Sequence, residues 1–286
     1  MYRNQKCQSD AESIAQKIRK HLNFERVDVV LIPGTGWGGI AEGLQQSRTI
    51  SLIDVSGLGE LQFLQAVSGH SFGATYGTLG TKTVLTIGRV HLYQDPYGDV
   101  RPNTARNLSR LLSEAALRLK PKAFIVTAGV GALPHERKTY NVGDVAVIRN
   151  FITVYAPKLP LFDGDDFKAP QFTISNRLAA IAENPTLPGP GCVQPNAVHV
   201  MVKGPNIETN LDKLKLAAEG GTVVGLSILP EVAVASLYED SGTEVLALAL
   251  VTNGWVEKHD HKKVKVTGEE ETAVLEEYLT AIIAQV

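Results

Sequence analysis

The side chains best suited to chemistry follow apolar runs of the chain, where predicted strands end. Arg89, His91 and Tyr93 alternate along G-R-V-H-L-Y at residues 88–93, so an extended backbone would present all three on one face. A planar, always charged guanidinium beside an imidazole and a phenol is well suited to binding an oxyanion. The alternative is an exposed polar strand end that binds nothing.

Glycine-rich and hydroxyl-bearing segments add further groups that bind anions. The apolar run at 27–32 ends in P-G-T-G-W-G-G at 33–39, where glycines let the backbone approach an anion and Thr35 adds a hydroxyl. Residues 124–132 repeat this design, and Gly129 offers a backbone N–H there. Ser227 presents another hydroxyl at the end of the apolar run 222–227. We therefore predict that part of the ligand is a phosphate.

The same glycines allow a different interpretation. Gly34, Gly36 and Gly39 fit G-x-G-x-x-G, and Asp54 ends another apolar run 20 residues after Gly34. This spacing is typical of the dinucleotide-binding fingerprint and would indicate an oxidoreductase. That hypothesis leaves the other polar strand ends without a role. A tight strand-to-helix turn without any ligand is the third reading of the segment.

Two further residues suit the hydrogen-bonding edge of a planar heterocycle. Glu208 stands where a predicted strand gives way to a helix, and Asn253 follows the last apolar run. A carboxylate accepts hydrogen bonds, whereas an amide both donates and accepts them. Glu208 also fits a plain first-turn carboxylate that the helix dipole favours. Tyr93 and Leu226 are placed to pack against whatever joins the heterocycle to the phosphate.

The composition excludes several classes of protein. With 286 residues, 44% hydrophobic and 20% charged, the chain is long enough to bury a sizeable core. A net charge of −2 without a basic block argues against a nucleic-acid surface. No apolar stretch approaches the roughly 18 residues of a membrane span, and the N-terminus lacks an apolar signal core. We expect a cytoplasmic, reduced protein with neither a nucleic-acid nor a membrane partner.

The few cysteines and histidines do not form a recognisable metal motif. Cys7 and Cys192 are too few and too far apart in the sequence for a disulfide framework or a zinc site. His259 and His261 lie in the charged run 257–265 without a carboxylate or cysteine at a typical ligand spacing. We predict a solvated loop there and no metal site.

Hydrophobic periodicity predicts alternating strands and helices without a repeat or a linker, which indicates one α/β domain over 1–286. Strands are predicted at 27–32, 50–55, 82–88, 124–132, 145–148, 197–202, 222–227 and 244–251. Helices are predicted at 10–21, with Asp10 as N-cap, and at 103–119, 175–183, 210–219, 231–236 and 269–285. A hairpin is expected at 69–80 and a long functional or intersubunit loop at 155–170. Ligands of open α/β sheets bind beyond the carboxyl ends of the strands, so the polar strand ends are expected to converge.

Six segments resemble, in chain order, the motifs of the trimeric-type purine nucleoside phosphorylases, a family that includes methylthioadenosine phosphorylase. They are G-T-G-W-G-G at 34–39, G-R-V-H-L-Y at 88–93, N-V-G-D at 141–144, G-P-N-I-E-T at 204–209, G-L-S with P-E-V within 225–232, and V-T-N at 251–253. The resemblance covers almost the whole chain. It implies a twisted mixed β-sheet flanked by helices, a homotrimer, and purine salvage by phosphorolysis without a cofactor, inorganic phosphate being the co-substrate.

The resemblance also implies roles for particular residues. The phosphate ligands would be Thr35, Arg89, His91, Gly129 and Ser227. The base would be bound by Glu208, which receives N1–H, and by Asn253, which bonds O6 and N7. The ribose would contact Tyr93, Leu226 and, from a neighbouring subunit, Phe167. Asn253, Glu208 and His91 are the predicted catalytic residues.

Three departures from the family pattern bear on the substrate. Ala128 replaces an Asn, Leu226 replaces a Met, and the T-H-E-E segment reads T-G-E-E, so Gly268 stands where a His typically binds the 5′-hydroxyl. Unless His259 or His261 fills this place, the 5′ pocket is open to methylthio nucleosides.

The residue at position 253 bears on the choice of base. Asn253 favours 6-oxopurines, because the methylthioadenosine branch typically carries Asp there. Phosphorolysis of inosine and guanosine is therefore the leading hypothesis. 5′-Methylthioinosine or 5′-methylthioadenosine is the alternative substrate, and a nucleoside-binding protein without catalysis is a further alternative.

Overall fold

The computed structural model describes residues 4–64, 72–94, 103–136, 139–161, 172–184, 192–255 and 261–286. Strands and helices alternate along these residues. The strands are β1 (Val29–Ile32), β2 (Gln45–Ser51), β3 (Gly73–Leu79), β4 (Lys82–Ile87), β5 (Ala123–Ala132), β6 (Val145–Ile152), β7 (Val193–Met201), β8 (Val223–Gly225) and β9 (Glu244–Asn253). The α-helices are α1 (Asn4–Leu22), α2 (Thr104–Arg118), α3 (Asn176–Ala182), α4 (Asn210–Ala218), α5 (Leu229–Ala235) and α6 (His261–Ile283).

The strands of the described residues form one mixed sheet in the order β2-β3-β4-β1-β5-β8-β7-β6-β9. β1 runs parallel to both β4 and β5, whereas β2, β3 and β4 pair antiparallel. β9 also pairs parallel with β5, so β5, β8, β7, β6 and β9 close into a ring. The helices flank this sheet. The predicted α/β fold with a mixed sheet is therefore confirmed.

The central strands are buried because they are apolar on both faces. Every residue of β1 is buried, and so is nearly every residue of β5 and β9, as expected for parallel strands covered by other elements on both sides. α2 packs against α1 and presents Leu108, Leu111, Leu112 and Ala115 to the core. These residues recur every three or four positions, which places them on one face of the helix.

The predicted strand at 50–55 is wrong in its placement. The strand β2 precedes it, at Gln45–Ser51, and its residues are almost all exposed. Leu52–Asp54 form a short 3-10 helix instead, with Leu52 buried. β2 is an edge strand held by antiparallel pairing with β3, so its backbone hydrogen bonds define it and an apolar run does not.

Two predicted helix starts are also wrong. Asp10 lies inside α1, where its carboxylate pairs with Lys6 one turn earlier at 2.7 Å. α6 begins at His261 and passes through Gly268, so much of the predicted charged loop is helical. A glycine inside a helix costs only about 1 kcal/mol relative to alanine. Packing of the later turns against the core, for example by Leu275 and Tyr278, exceeds that cost.

The topology does not provide the unit that a dinucleotide fingerprint needs. Within residues 29–54, the glycine turn leads only into a four-residue 3-10 helix at Gly38–Ala41. The next strand, β2, lies antiparallel at the sheet edge, and the parallel neighbours of β1 are β4 and β5. Asp54 therefore does not end a parallel strand beside β1, and the βαβ geometry is absent from this segment.

The carboxyl ends of β1 and β5 approach each other closely. The Gly34 N–H donates to the Thr127 hydroxyl oxygen at 3.1 Å, and the Trp37 indole N–H donates to the Ala128 carbonyl at 3.1 Å. A Cβ added at Gly34 would lie 2.5 Å from both the Thr127 carbonyl oxygen and the Ala128 Cα. Only glycine allows this contact, which joins the first glycine loop to the end of β5.

Gly34→Ala is expected to lower the free energy of unfolding by about 1–3 kcal/mol, because its methyl group overlaps the backbone of β5. Gly38→Ala is the matched control in the same loop, since a Cβ there meets no atom within 4 Å. Urea unfolding of both variants beside the unchanged protein measures the effect. Equal stability of the two variants would contradict the close contact.

Candidate active site

The glycine loop and the end of β5 meet at the carboxyl edge of the sheet. β1, β5 and β9 run parallel, so their last residues lie on the same side. A Cβ added at Gly129 would lie 3.2 Å from the Thr35 Cβ and 3.1 Å from the Thr252 Cγ2. The structure thus brings the two predicted phosphate ligands Thr35 and Gly129 together and adds Thr252 beside them.

Arg89 is buried at this edge with its guanidinium fixed on two sides. Its Nε donates to Glu231 Oε1 at 2.7 Å, and its Nη1 donates to the Thr127 carbonyl at 2.8 Å. Its Nη2 is buried and has no hydrogen-bond partner among the described residues. A buried donor is normally satisfied, and a guanidinium nitrogen in this position is suited to binding an anion.

The segment that follows Arg89 is not an extended strand. β4 ends at Ile87, and Leu92–Gln94 form a 3-10 helix. The backbone N–H of His91, just before this helix, donates to the Gln94 side-chain oxygen at 2.6 Å. The rings of His91 and Tyr93 nevertheless lie side by side, with centroids 5.2 Å apart. Burial raises the pKa of Tyr93, and the positive charge of Arg89 opposes this rise. The three residues of the predicted trio therefore lie close together, although the backbone that carries them is not the extended strand that was predicted.

The segment after β8 carries one predicted phosphate ligand and one predicted ribose contact. Ser227 is buried three residues after Val224, just before α5, and Glu231 in the first turn of that helix is the partner of Arg89. Leu226 points toward the loop after β7: a Cβ at Gly204 would lie 3.1 Å from its Cδ atoms and 3.4 Å from Tyr93 Cδ1. The predicted ribose contacts Tyr93 and Leu226 thus lie next to each other.

Asn253 is fixed at the end of β9 beside β5. It pairs with Gly131, and a Cβ at Gly131 would lie 2.9 Å from the Asn253 Nδ2. The Thr252 hydroxyl lies 3.3 Å from Asn253 Oδ1 and 3.2 Å from the Val130 carbonyl. The side chain of Asn253 therefore lies directly against the backbone of β5 at Gly131. This contact restricts the orientation of the amide group.

Glu208 is half-buried and directly precedes Thr209, the N-cap of α4. Thr209 and Asp212 form a reciprocal capping box, which fixes the start of the helix. Burial raises the pKa of Glu208. A hydrogen bond from its own backbone N–H and the ammonium group of Lys213 oppose this rise, and the carboxylate of Asp212 adds to it. A carboxylate placed before a helix and shielded from water is suited to accepting a hydrogen bond from a ligand.

The register of β5 sets the distance between the two halves of the site. Gly129 lies beside Thr35, on the side where an anion is predicted, and Gly131, two residues further, contacts Asn253. Two residues of an extended strand span about 7 Å. That separation is compatible with a pentose between a phosphate and a heterocyclic base.

A histidine that sequence reasoning missed lies behind this edge. His199 on β7 is fully buried, and neither ring nitrogen has a hydrogen-bond partner among the described residues. A Cβ at Gly225 would lie 3.0 Å from its Nε2. Burial lowers the pKa of His199 to about 3, and the charge of Arg89 adds to this effect. The ring is therefore neutral near neutral pH.

Sequence reasoning assigned no role to three further residues. Glu231 belongs to the P-E-V motif, and its partnership with Arg89 is visible only in the fold. Thr127 connects Gly34 and Arg89, although it reads in the sequence as one residue of an apolar strand. Lys213 is buried, although a lysine on a short helix normally indicates an exposed face.

Some predicted residues and sites cannot be placed. Phe167 and His259 lie outside the described residues, and His261 is the first residue of α6. Within the described ranges, no group of three or more His, Cys, Asp or Glu is arranged to hold a metal ion. No helix in the described part of the chain has both the length and the apolar character needed to cross a bilayer.

Comparison with known proteins identifies the class. The profile of the phosphorylase superfamily matches residues 28–284. Purine nucleoside phosphorylase from Bos taurus is 26% identical over 97% of this chain and 95% of that protein. The structure of Schistosoma purine nucleoside phosphorylase in complex with hypoxanthine has a TM-score of 0.75 at 25% identity and covers 97% of each chain. For the Schistosoma mansoni purine nucleoside phosphorylase in complex with inosine, the TM-score is 0.76 at 25% identity, with 97% of this chain and 96% of that chain covered.

The chain belongs to the phosphorylase superfamily. The resemblance to purine nucleoside phosphorylases that its six motifs indicated is confirmed as a family relation, and with it the expectation of an enzyme of this family. An identity of 26% to the bovine protein does not define which purine this chain binds. The choice of substrate depends on the side chains of the site.

His199→Leu is expected to reduce the acid sensitivity of the protein. The unfolded chain protonates this histidine below about pH 6.5, whereas in the folded state its pKa is about 3. Between these values the unfolded state binds the extra proton, so stability falls as pH falls, by up to about 1.4 kcal/mol per pH unit. Urea unfolding should be measured from pH 7.5 to 4.5. The free energy of unfolding of the variant should rise relative to that of the unchanged protein as the pH falls below 6.5. A constant difference across this range would refute the assignment.

Proposed function

We propose that this protein is a purine nucleoside phosphorylase that cleaves 6-oxopurine nucleosides such as inosine and guanosine. Inorganic phosphate is the co-substrate, the products are the free base and (deoxy)ribose 1-phosphate, and neither metal nor cofactor takes part. The observation that carries the proposal is the buried Arg89 Nη2, which has no partner among the described residues and lies where the strand ends converge. The family relation supports the same reaction.

Five residues form the proposed phosphate site: Thr35, Arg89, His91, Gly129 and Ser227. The contact between Thr35 and Gly129 and the link from Arg89 through Glu231 to α5 support this grouping. A guanidinium held by a carboxylate and a carbonyl keeps its remaining donor in one direction, which suits an oxyanion of fixed geometry.

The proposed base site consists of Glu208 and Asn253. A carboxylate at Glu208 accepts the N1–H that a 6-oxopurine carries, and the amide of Asn253 donates to O6 or N7. Hypoxanthine and inosine, the ligands in the two related structures described above, are such 6-oxopurines. The fixed position of Asn253 against Gly131 supports its role as a preorganised donor.

The reaction follows from where charge develops. The C1′–N9 bond breaks while a phosphate oxygen forms the new bond to C1′, so the sugar gains positive oxocarbenium character and the purine takes the electron pair. Phosphate held by Arg89 and His91 stabilises the positive sugar. Glu208 and Asn253 bind the purine, and the donor at Asn253 stabilises negative charge that exists only in the transition state. Such interactions raise kcat rather than binding alone.

The sugar site is the part of the proposal on which substrate choice depends. Tyr93 and Leu226 lie next to each other beside Gly204. In our proposal they form one wall of the sugar site, and Phe167 of a neighbouring subunit in a homotrimer completes it. Gly268 carries no side chain for the 5′-hydroxyl. This single observation favours a second candidate function, phosphorolysis of 5′-methylthioinosine.

The first test measures phosphate-dependent release of base from inosine, guanosine, adenosine and 5′-methylthioinosine. Inosine or guanosine should be cleaved, and Asn253→Ala should lower kcat/KM by about 10²–10³-fold because a transition-state donor is lost. Adenosine turnover equal to inosine would refute the 6-oxopurine preference. Preference for the methylthio substrate would establish the second candidate. Binding without turnover would indicate a nucleoside-binding protein.

Arg89→Lys is expected to raise the KM for phosphate by about 10–100-fold, because one ammonium cannot replace the three directed nitrogens. Arg48 is exposed on the edge strand β2, so Arg48→Lys serves as the matched control. This variant should leave the KM for phosphate unchanged. Steady-state kinetics at varied phosphate and fixed inosine measure the effect. An unchanged KM for phosphate in Arg89→Lys would remove Arg89 from the phosphate site.

A further inference from the structure

Lys213 is a buried lysine that the proposed reaction does not use. It lies in α4 with 1% of its surface exposed. Its ammonium group donates to the Gly254 carbonyl at 3.3 Å and to the Trp255 carbonyl at 3.4 Å. These two carbonyls directly follow Asn253, the last residue of β9.

Glu208, the other proposed base-binding residue, lies at the N-terminal end of the same helix, five positions before Lys213. Glu208 precedes the N-cap Thr209, and the capping box with Asp212 fixes this end of α4. Lys213 follows Asp212 immediately. The first turns of α4 are therefore linked to both residues. Glu208 precedes the helix, and Lys213 in the helix donates hydrogen bonds to the segment after Asn253.

Burial of a lysine at this place calls for a reason. Lysine is almost never fully buried without a partner, because its ammonium loses hydration and its long side chain loses conformational freedom. A methionine of similar length would fill the space without the loss of ammonium hydration. The two carbonyl contacts thus indicate that the position is used to connect α4 to the chain after β9.

We propose that Lys213 is a positioning residue of the base site, which holds Asn253 and Glu208 at the spacing that a purine requires. This inference rests on the proposed function. Lys213 does not touch the base. It acts through the segment 253–255 and through its charge near Glu208.

The electrostatics around Glu208 support the same role. Burial raises the pKa of Glu208, a hydrogen bond from its own backbone N–H and the charge of Lys213 lower it, and the charge of Asp212 raises it. Asp212 and Lys213 are the charged groups of the described residues that act on Glu208. Removal of the ammonium group therefore raises the pKa of Glu208, so its carboxylate takes up a proton at higher pH and no longer accepts N1–H.

The experiment compares Lys213→Met, Lys213→Gln and Lys213→Arg with the unchanged protein. Lys215→Met is the matched control, since Lys215 lies two residues further on α4 and is exposed. The readouts are the KM for inosine, the KM for phosphate, and the acid limb of kcat/KM for inosine between pH 5 and 8. Circular dichroism establishes that each variant is folded.

Lys213→Met should raise the KM for inosine about tenfold or more, because a charged hydrogen-bonding group is lost. Its KM for phosphate should stay within about twofold, because an effect confined to the base site leaves phosphate binding intact. Its acid limb should move to higher pH. Lys213→Arg should restore both properties, and Lys213→Gln should restore the KM at pH 8 but not the acid limb, because it keeps a donor and loses the charge.

The possible failures are distinct. If the unchanged protein cleaves inosine and Lys213→Met behaves like Lys215→Met, Lys213 has no positioning role. An equal rise of the KM for phosphate would likewise overturn it, as a general structural defect has that effect. If Lys213→Met does not fold, identical acid limbs in Lys213→Gln and Lys213→Arg overturn the proposal. No cleavage by the unchanged protein would instead refute the proposed function itself.

Discussion

The buried guanidinium of Arg89 determines how the candidate site is assembled. A charge removed from water must be paired, and here the Glu231 carboxylate and the Thr127 carbonyl satisfy two of its nitrogens. These partners come from α5 and β5, while Arg89 itself follows β4. Because the Thr127 hydroxyl also accepts the Gly34 N–H, the first glycine loop is fixed to the same centre. Four parts of the chain are thus held around one guanidinium, whose Nη2 has no hydrogen-bond partner among the described residues.

A second constraint operates at the other end of the site. The two proposed base-binding residues come from β9 and from the loop before α4, which do not pair in the sheet. Their relative position depends on the start of α4, capped by Thr209, and on the contacts of Lys213 with the carbonyls after Asn253. Reactions of this kind require groups held to within fractions of an ångström. A helix fixed at both points is more rigid than a loop alone.

The motifs drew attention to polar residues near strand ends, whereas the periodicity misplaced two elements. Arg89 follows β4 and Asn253 ends β9, which both run in the direction of β5, whereas Ser227 follows β8, which pairs antiparallel with the end of β5. The apolar run before Asp54 and the glycine within α6 misled the prediction of a strand and of a helix start. In both cases the outcome depends on pairing or packing with distant residues, which local propensity does not contain. The glycine pattern alone suggested a dinucleotide, and only the order of the strands excludes that geometry.

The sequence by itself determined the alternation of strands and helices, the polar residues at the strand ends and the family to which they belong. It did so because these features depend on residue types at short spacing. Only the tertiary structure decided that Glu231 pairs with Arg89, that His199 is buried and neutral, and that Lys213 contacts the chain after Asn253. These relations join residues that are between 41 and 142 positions apart or depend on burial from all sides. Burial and charge pairing are properties of the packed chain, so they arise only when the sheet and its helices have come together.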